Sequence, residues 1–217
     1  MSSHHIIRDK QEPALIIANG EACSLDLVEQ LLEWSPTVVV LDGALERVIS
    51  LGIKVDVWLG DFDHTNEAEY IDYPLKKIHT PDQNLTDLEK AFEYLIEEGY
   101  PSVNVVWASG KRMDHTLNNF HSLVRYGRKL KIVFFDDYST SYLLPSNFEK
   151  WYPAGTPISL IPYGEAFQVK STGLVYDLNH PLLKLGTQTS SSNEAREDGI
   201  VKISYEDGAL ILMECHD

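Results

Sequence analysis

The chain of 217 residues is long enough to bury a complete hydrophobic core, as one large domain or two small ones. Aspartate and glutamate outnumber lysine and arginine by 33 to 18, for a formal net charge of −15, which argues against general attraction to nucleic acid or anionic lipid. No run approaches the ~20 apolar residues needed to cross a bilayer, and no charged leader precedes a long apolar stretch, so the cytoplasm is the expected compartment.

In chain order, short apolar runs alternate with amphipathic stretches. "ALIIANG" precedes the helical pattern "SLDLVEQLLEWS"; "TVVVLDG" precedes "ALERVISLG"; "VDVWLGD" and "KKIHT" precede "TDLEKAFEYLIEEG"; "SVNVVWASG" precedes "DHTLNNFHSLVRYG"; "KIVFFDD" closes the series. In the last helix Leu117, Phe120, Leu123 and Val124 share one face, and Gly127 is placed to stop it. Strands apolar on both faces and separated by helices predict a mostly parallel sheet covered by helices, an α/β domain over residues 1–146. Beyond it the helical period disappears, and residues 147–217 are expected to form a β-sandwich. There "GIVKISYEDGALILM" reads as a hairpin about Asp207-Gly208, and "SSSNEARED" as a polar loop with no core to join. Cys23 and Cys215 lack the paired spacing of a zinc site and are expected to be reduced.

Ligands of open parallel sheets bind outside the carboxyl ends of the strands. Asn19 and Gly20, then Asp42 and Gly43, then Asp61 and Asp63 close the first three runs. Asp87 and Asp114 open two helices, which brings five aspartates to one rim. Two carboxylates ~6 Å apart repel by roughly 3 kcal/mol at an effective dielectric of ~20, so a cation is expected there, and all-oxygen ligands favour Mg²⁺ over a softer metal. Residues i and i+2 of an extended segment point the same way, so Asp61 and Asp63 would both serve. A strand-end aspartate also commonly just solvates a loop. Thr86, Glu89 and Asp87 have a structural role available as a helix capping box, and Asp114 is similarly placed to cap its helix. "SGKRMDHTLNN" supplies Lys111 and Arg112 at a strand-to-helix turn suited to phosphate, although the chain has no Walker-type phosphate loop.

The succession "DGALERVISLGIKVDVWLGDFDH", "PDQNLTDLEKAFEYL", "SGKRMDHTLNN", "STGLVYDLNHPLLKLGTQTSSSN" and "GALILM" resembles the thiamine pyrophosphokinase family over nearly the whole chain. The resemblance implies an α/β ATP- and Mg²⁺-binding domain, a thiamine-binding β-sandwich, and a homodimer with active sites between subunits. It also implies diphosphoryl transfer from ATP to thiamine. Matched residue by residue, Asp42, Asp61, Asp63 and Asp87 correspond to Mg²⁺ ligands. Arg112, Asp114 and His115 correspond to the nucleotide-binding segment, and Asn19, Gly43 and Lys111 fall with them on the ATP side. Gln83, Thr86, Ser192 and Asn193 correspond to thiamine-side positions, and Asp61, Asp63, Asp87, Arg112 and Asp114 are the expected catalytic set. The chain departs from the family pattern at Ala44, where a second glycine is common, at His64, where serine is common, and at Ile211, where some members carry tryptophan.

Two other functions use the same residues. "DFDHT" fits the D-x-D-x-T pattern of haloacid-dehalogenase-type phosphatases, whose first aspartate is a covalent nucleophile. Alternatively, a non-catalytic sensor would bind thiamine or nucleotide without turning it over.

Overall fold

A computed structural model describes residues 12–62, 70 and 73–216. The chain divides into two compact units, Met1–Lys111 with Lys129–Lys131, and Arg112–Arg128 with Ile132–Asp217.

Among the described residues the first unit forms a parallel layer of five strands. Strands β1 (Ala14–Ile17), β2 (Val38–Leu41) and β3 (Val57–Gly60) are buried at every position, as expected of short apolar strands covered on both faces. They lie in the order β4 (Lys76–His79), β3, β2, β1, β5 (Ser102–Val106), and each described pair is parallel. β4 is the outer strand, and its lysines are exposed, a common way of blunting a sheet edge. Helix α1 (Leu25–Leu32) follows β1, and α2 (Leu45–Ser50) follows β2 through a 3-10 turn at Asp42–Ala44. Helix α3 (Asp87–Glu97) has the capping box expected from its sequence: Glu89 N donates to Thr86 Oγ1 at 3.4 Å, and Thr86 N donates to Glu89 Oε2 at 3.0 Å. Its buried face presents Leu88, Ala91, Phe92 and Leu95.

The second unit begins with α4 (Met113–Tyr126), followed by β6 (Lys131–Phe135), β7 (Ser139–Leu143), β8 (Asn147–Tyr152), β9 (Pro157–Thr172), β10 (Asn179–Lys184), β11 (Ser190–Glu194), β12 (Gly199–Ser204) and β13 (Asp207–Cys215). Gly127 does cap α4, with a right-handed φ of −62°. Its need for glycine is steric, because a Cβ there would lie 2.5 Å from the Leu123 carbonyl oxygen. Leu123 is buried, whereas Leu117, expected on the same face, is 61% exposed. The apolar face of α4 is covered toward its C-terminal end.

The antiparallel order is β6-β7-β13-β9-β12-β8, with β10 and β11 also paired to β9. The C-terminal hairpin expectation is therefore corrected. β12 and β13 each pair with β9, which runs between them, and Gly208 (φ 95°) is where β13 passes so close to β9 that a Cβ would meet the Glu165 carbonyl oxygen at 2.1 Å. The alternation itself was sound, since Val201, Ile203, Tyr205, Leu210 and Leu212 all enter the core with Ile158 and Leu160. "SSSNEARED" is likewise corrected: its first five residues form β11, bulged between Ser190 and Asn193.

Candidate active site

In the first unit the chain runs from β1 through β2 and β3 to β4 on one side, then places β5 on the other. The order reverses between β1 and β5, the position at which such sheets bind ligands. The loops after these strands are locked together there. Gly20 N donates to the Trp107 carbonyl at 2.7 Å and Glu21 N to the Ser109 carbonyl at 2.8 Å. A Cβ on Gly20 would lie 2.3 Å from the Trp107 carbonyl oxygen, so only glycine permits this approach. Lys111 Nζ donates to the Asn19 carbonyl at 3.3 Å. Asn19 Nδ2 lies 2.7 Å from where a Gly43 Cβ would stand, which brings the β1 and β2 loops into contact.

Arg47, which sequence reasoning missed, joins this group from α2. Its Nη2 donates to the Gly20 carbonyl at 3.0 Å, and its guanidinium lies 4.0 Å from the centroid of the Trp107 ring. Burial pulls its pKa below the ordinary arginine value, with the charge of Glu21 opposing that shift. Trp107 is buried, its indole N–H has no partner among the described residues, and it holds a left-handed φ of 58°. The available signal was an arginine in a short helix that starts on the rim.

Further along the rim, Asp42 opens the 3-10 turn, and its carbonyl accepts from Trp58 Nε1 at 3.1 Å. β3 passes it at Gly60, where a Cβ would come within 2.6 Å of Asp42 Cβ. Asp61 follows directly and accepts from Gln83 Nε2 at 2.9 Å. Asp87 heads α3; burial raises its pKa, Lys90 opposes the shift, and the charge of Asp61 adds to it. Asp61 and Asp87 thus lie in one electrostatic neighbourhood. Lys90, also missed in the sequence, donates to Asp87 Oδ1 at 3.2 Å and to the Thr80 carbonyl at 2.9 Å. The hydroxyl of Thr86 is engaged in the capping box, donating to Glu89 Oε2 at 3.2 Å.

The extended geometry expected for Asp61-Phe62-Asp63 is corrected. β3 ends at Gly60, and Phe62 has φ 61°, an arrangement that costs a non-glycine residue roughly 1–3 kcal/mol. Packing offsets the cost: the Phe62 ring is buried, 4.3 Å from the Trp58 centroid and 5.8 Å from that of His79, with Lys77 Nζ 4.3 Å from its own centroid. Asp63 and His64 lie outside the described residues.

Among the described residues, no three carboxylate, imidazole or thiolate groups converge closely enough to hold a metal by themselves. The described rim nevertheless suits Mg²⁺, which commonly binds through one or two carboxylates together with substrate phosphates. Asp61 and Asp87 supply hard oxygen donors of that kind, with Asp42 on the adjoining strand end.

In the second unit, Arg112 rather than Asp114 is the N-cap of α4, and its side chain makes no capping bond. Asp114 instead receives a two-pronged contact from Arg112, Nε to Oδ1 at 3.0 Å and Nη2 to Oδ2. The bonds from Arg112 hold the Asp114 carboxyl at a pKa of about 2. Both side chains are exposed, as is His115 in the same turn.

Asn193 and Ser192 lie on β11 with opposite surroundings. Asn193 is 3% exposed, and its amide is fully engaged: Oδ1 accepts from Tyr176 N at 3.1 Å and Glu194 N at 2.9 Å, while Nδ2 donates to the Tyr176 carbonyl at 2.8 Å and Ser190 Oγ at 3.2 Å. It fixes the loop carrying Tyr176, whose side chain is exposed. Ser192 is exposed, has φ 53°, and donates its N–H to Ser159 Oγ at 2.9 Å. Of the departures from the family pattern, Ala44 and Ile211 are both buried.

Comparison with known proteins bears on both units. The family model for the thiamin pyrophosphokinase catalytic domain matches residues 28–134, and that for the thiamin pyrophosphokinase vitamin B1 binding domain matches residues 147–210. Thiamin pyrophosphokinase 1 of Caenorhabditis elegans is 27% identical over 87% of this chain and 84% of its own length. The crystal structure of thiamine pyrophosphokinase from Bacillus subtilis superposes with a TM-score of 0.79 at 23% identity, covering 94% of this chain and 99% of that one. Yeast thiamin pyrophosphokinase gives 0.81 at 14% identity, covering 96% and 88%. With two domain matches in sequence order and the same fold, the chain belongs to the thiamin pyrophosphokinase family.

Proposed function

We infer that this enzyme transfers the diphosphoryl group of ATP to thiamine, giving thiamine diphosphate and AMP. The observation that carries this reading is the succession of a thiamin pyrophosphokinase catalytic domain and a vitamin B1 binding domain in one chain. In the reaction the hydroxyethyl oxygen of thiamine forms a bond to the β-phosphorus of ATP, the bond from that phosphorus to the α,β-bridging oxygen breaks, and the hydroxyl proton is released. AMP leaves with the bridging oxygen. Such chemistry asks the protein mainly for alignment and charge neutralisation.

The roles proposed for the residues follow from chemistry and family membership. Asp42, Asp61, Asp63 and Asp87 hold Mg²⁺, which when bound neutralises charge on the phosphate oxygens. Asn19, Gly43 and Lys111 contact ATP at the β1/β5 reversal. Arg112 binds phosphate, with Asp114 orienting its guanidinium and His115 beside them in sequence. Gln83 and Thr86 serve the thiamine side, as do Ser192 directly and Asn193 by fixing the Tyr176 loop. On the same reading residues 1–146 carry the nucleotide chemistry and 147–217 the vitamin. The enzyme works as a homodimer whose active sites take residues from both copies, and it acts in the cytoplasm, where ATP and Mg²⁺ are plentiful. Among the described residues no helix is long and apolar enough to cross a membrane.

No observation favours the phosphatase or the sensor. Asp61 follows the third strand, whereas the phosphatase pattern ordinarily sits on the first. Chromatographic measurement of AMP in Mg-ATP with and without thiamine separates the three: AMP only with thiamine supports the transferase, phosphate released from a monoester without thiamine supports the phosphatase, and binding without AMP supports the sensor. Arg47→Met is expected to raise the KM for Mg-ATP about 10-fold or more, the size of one charge-assisted hydrogen bond, while the KM for thiamine stays within about twofold. A variant with wild-type KM for Mg-ATP would leave Arg47 as a loop staple only.

A further inference from the structure

Lysine ammonium groups ordinarily remain in water unless paired, yet Lys90 lies on the buried face of α3 with 6% of its side chain exposed. Its Nζ donates to the Thr80 carbonyl at 2.9 Å and to Asp87 Oδ1 at 3.2 Å. Thr80 N in turn donates to the carbonyl of Gly60, the residue before Asp61. One buried cation is thereby tied to the ends of β3 and β4 and to the first residue of α3. It sits beside Asp87, which also feels the charge of Asp61. An apolar residue would fill this space without the desolvation cost of an ammonium group, so packing alone does not account for a lysine.

We propose that Lys90 is a positioning residue for diphosphoryl transfer, the fixed internal cation that orients the Asp87 carboxylate and sets how tightly the acidic rim binds a divalent metal. The proposal rests on the reading of that rim as a Mg²⁺-nucleotide site. Removing Lys90 has two separable effects. Asp87 loses the donor that orients it, which slows turnover. The rim also loses the positive charge that competes with the metal, which tightens metal binding.

The test uses Lys90→Met and Lys90→Arg in the full chain. Mn²⁺ binding is read by electron paramagnetic resonance with a non-hydrolysable ATP analogue, alongside steady-state kinetics. The Met variant is expected to bind Mn²⁺ roughly 3- to 10-fold more tightly, given the long reach of a charge in a partly dry site, and to lose at least about tenfold in kcat. The Arg variant is expected to return Mn²⁺ affinity to within about twofold of wild type. If the Met variant does not fold, Lys90→Gln is read in the same way. Mn²⁺ affinity in the neutral variant equal to or weaker than wild type, with or without a fall in kcat, overturns the proposal and leaves Lys90 a structural residue. Failure of the wild-type protein to bind Mn²⁺ with the nucleotide analogue overturns the underlying reading of the rim and the proposal with it.

Discussion

Replacing Asp61 by Asn is expected to depress kcat by roughly two to three orders of magnitude while leaving the fold intact. A metal ion contributes several kcal/mol to charge stabilisation in phosphoryl transfer, and ~1.4 kcal/mol corresponds to a factor of ten in rate. Asp61 directly follows β3 and is oriented by Gln83, so Asn keeps the shape and the acceptor oxygen but removes the charge proposed to recruit the metal. Because Asp61 also raises the pKa of Asp87 through its charge, its neutralisation relieves repulsion. The melting temperature without metal is therefore expected to stay level or rise. The check is kcat against Mg²⁺ concentration together with a thermal melt. Wild-type turnover at matched Mg²⁺ would remove Asp61 from the metal site, and a collapsed melting temperature would mark its role as structural.

The second large effect concerns stability. Glu214 on β13 gathers three neighbours: Tyr142 Oη of β7 and Tyr152 Oη of β8 each donate to Oε1 at 2.6 Å, and Lys150 Nζ of β8 reaches both oxygens at 2.7 and 2.9 Å. Burial pushes the Glu214 carboxyl up, but the bonds from Lys150, Tyr142 and Tyr152 together outweigh it, and the net pKa is lowered. Burial, followed by the bond to Glu214, raises both tyrosines. Glu214→Leu leaves two largely buried hydroxyls without their acceptor, at about 1–3 kcal/mol each. Lys150, which is half exposed, can return to water. A loss of roughly 3 kcal/mol is expected, equivalent to a fall of about 6–12 °C in Tm for a chain of this size. Adding Tyr142→Phe and Tyr152→Phe should recover part of it, since removing both sides of a buried bond costs less than removing one. Because the Glu214 pKa is depressed, its stabilising contribution is present above the unfolded glutamate pKa and is lost as pH falls through the folded value. Acid unfolding below about pH 4.5 should accordingly be less steep in the Leu variant. An unchanged Tm would contradict this account of the network.

The contrast between these sites shows what the sequence makes legible. α3 was readable to its capping box because Thr86 and Glu89 are three residues apart and interact locally. The parallel layer was readable because strands buried on both faces leave continuous apolar runs. The β-rich unit was readable only as texture. β9 separates β12 from β13 through pairings across thirty residues or more, and a serine-rich segment became β11 because β9 offered it a partner. Arg47 and Lys90 went unread for a related reason: nothing in "LERV" or "LEKA" distinguishes a surface cation from one that also bonds a carbonyl distant in sequence, Gly20 for Arg47 and Thr80 for Lys90. Phe62 reverses the simple geometry of the D-x-D pattern because Trp58 and His79 make room for its ring at a backbone angle the pattern does not suggest. Asn193 shows a different limit, since family resemblance singled out the residue while the structure shows its amide committed to the Tyr176 loop.

The central claim is diphosphoryl transfer, and ³¹P NMR of the purified protein with ATP, thiamine and Mg²⁺ tests it most directly. The account predicts loss of the ATP resonances with matched growth of AMP and thiamine diphosphate, only when thiamine and metal are both present. Intact ATP in the complete mixture, or inorganic phosphate released regardless of thiamine, would contradict it.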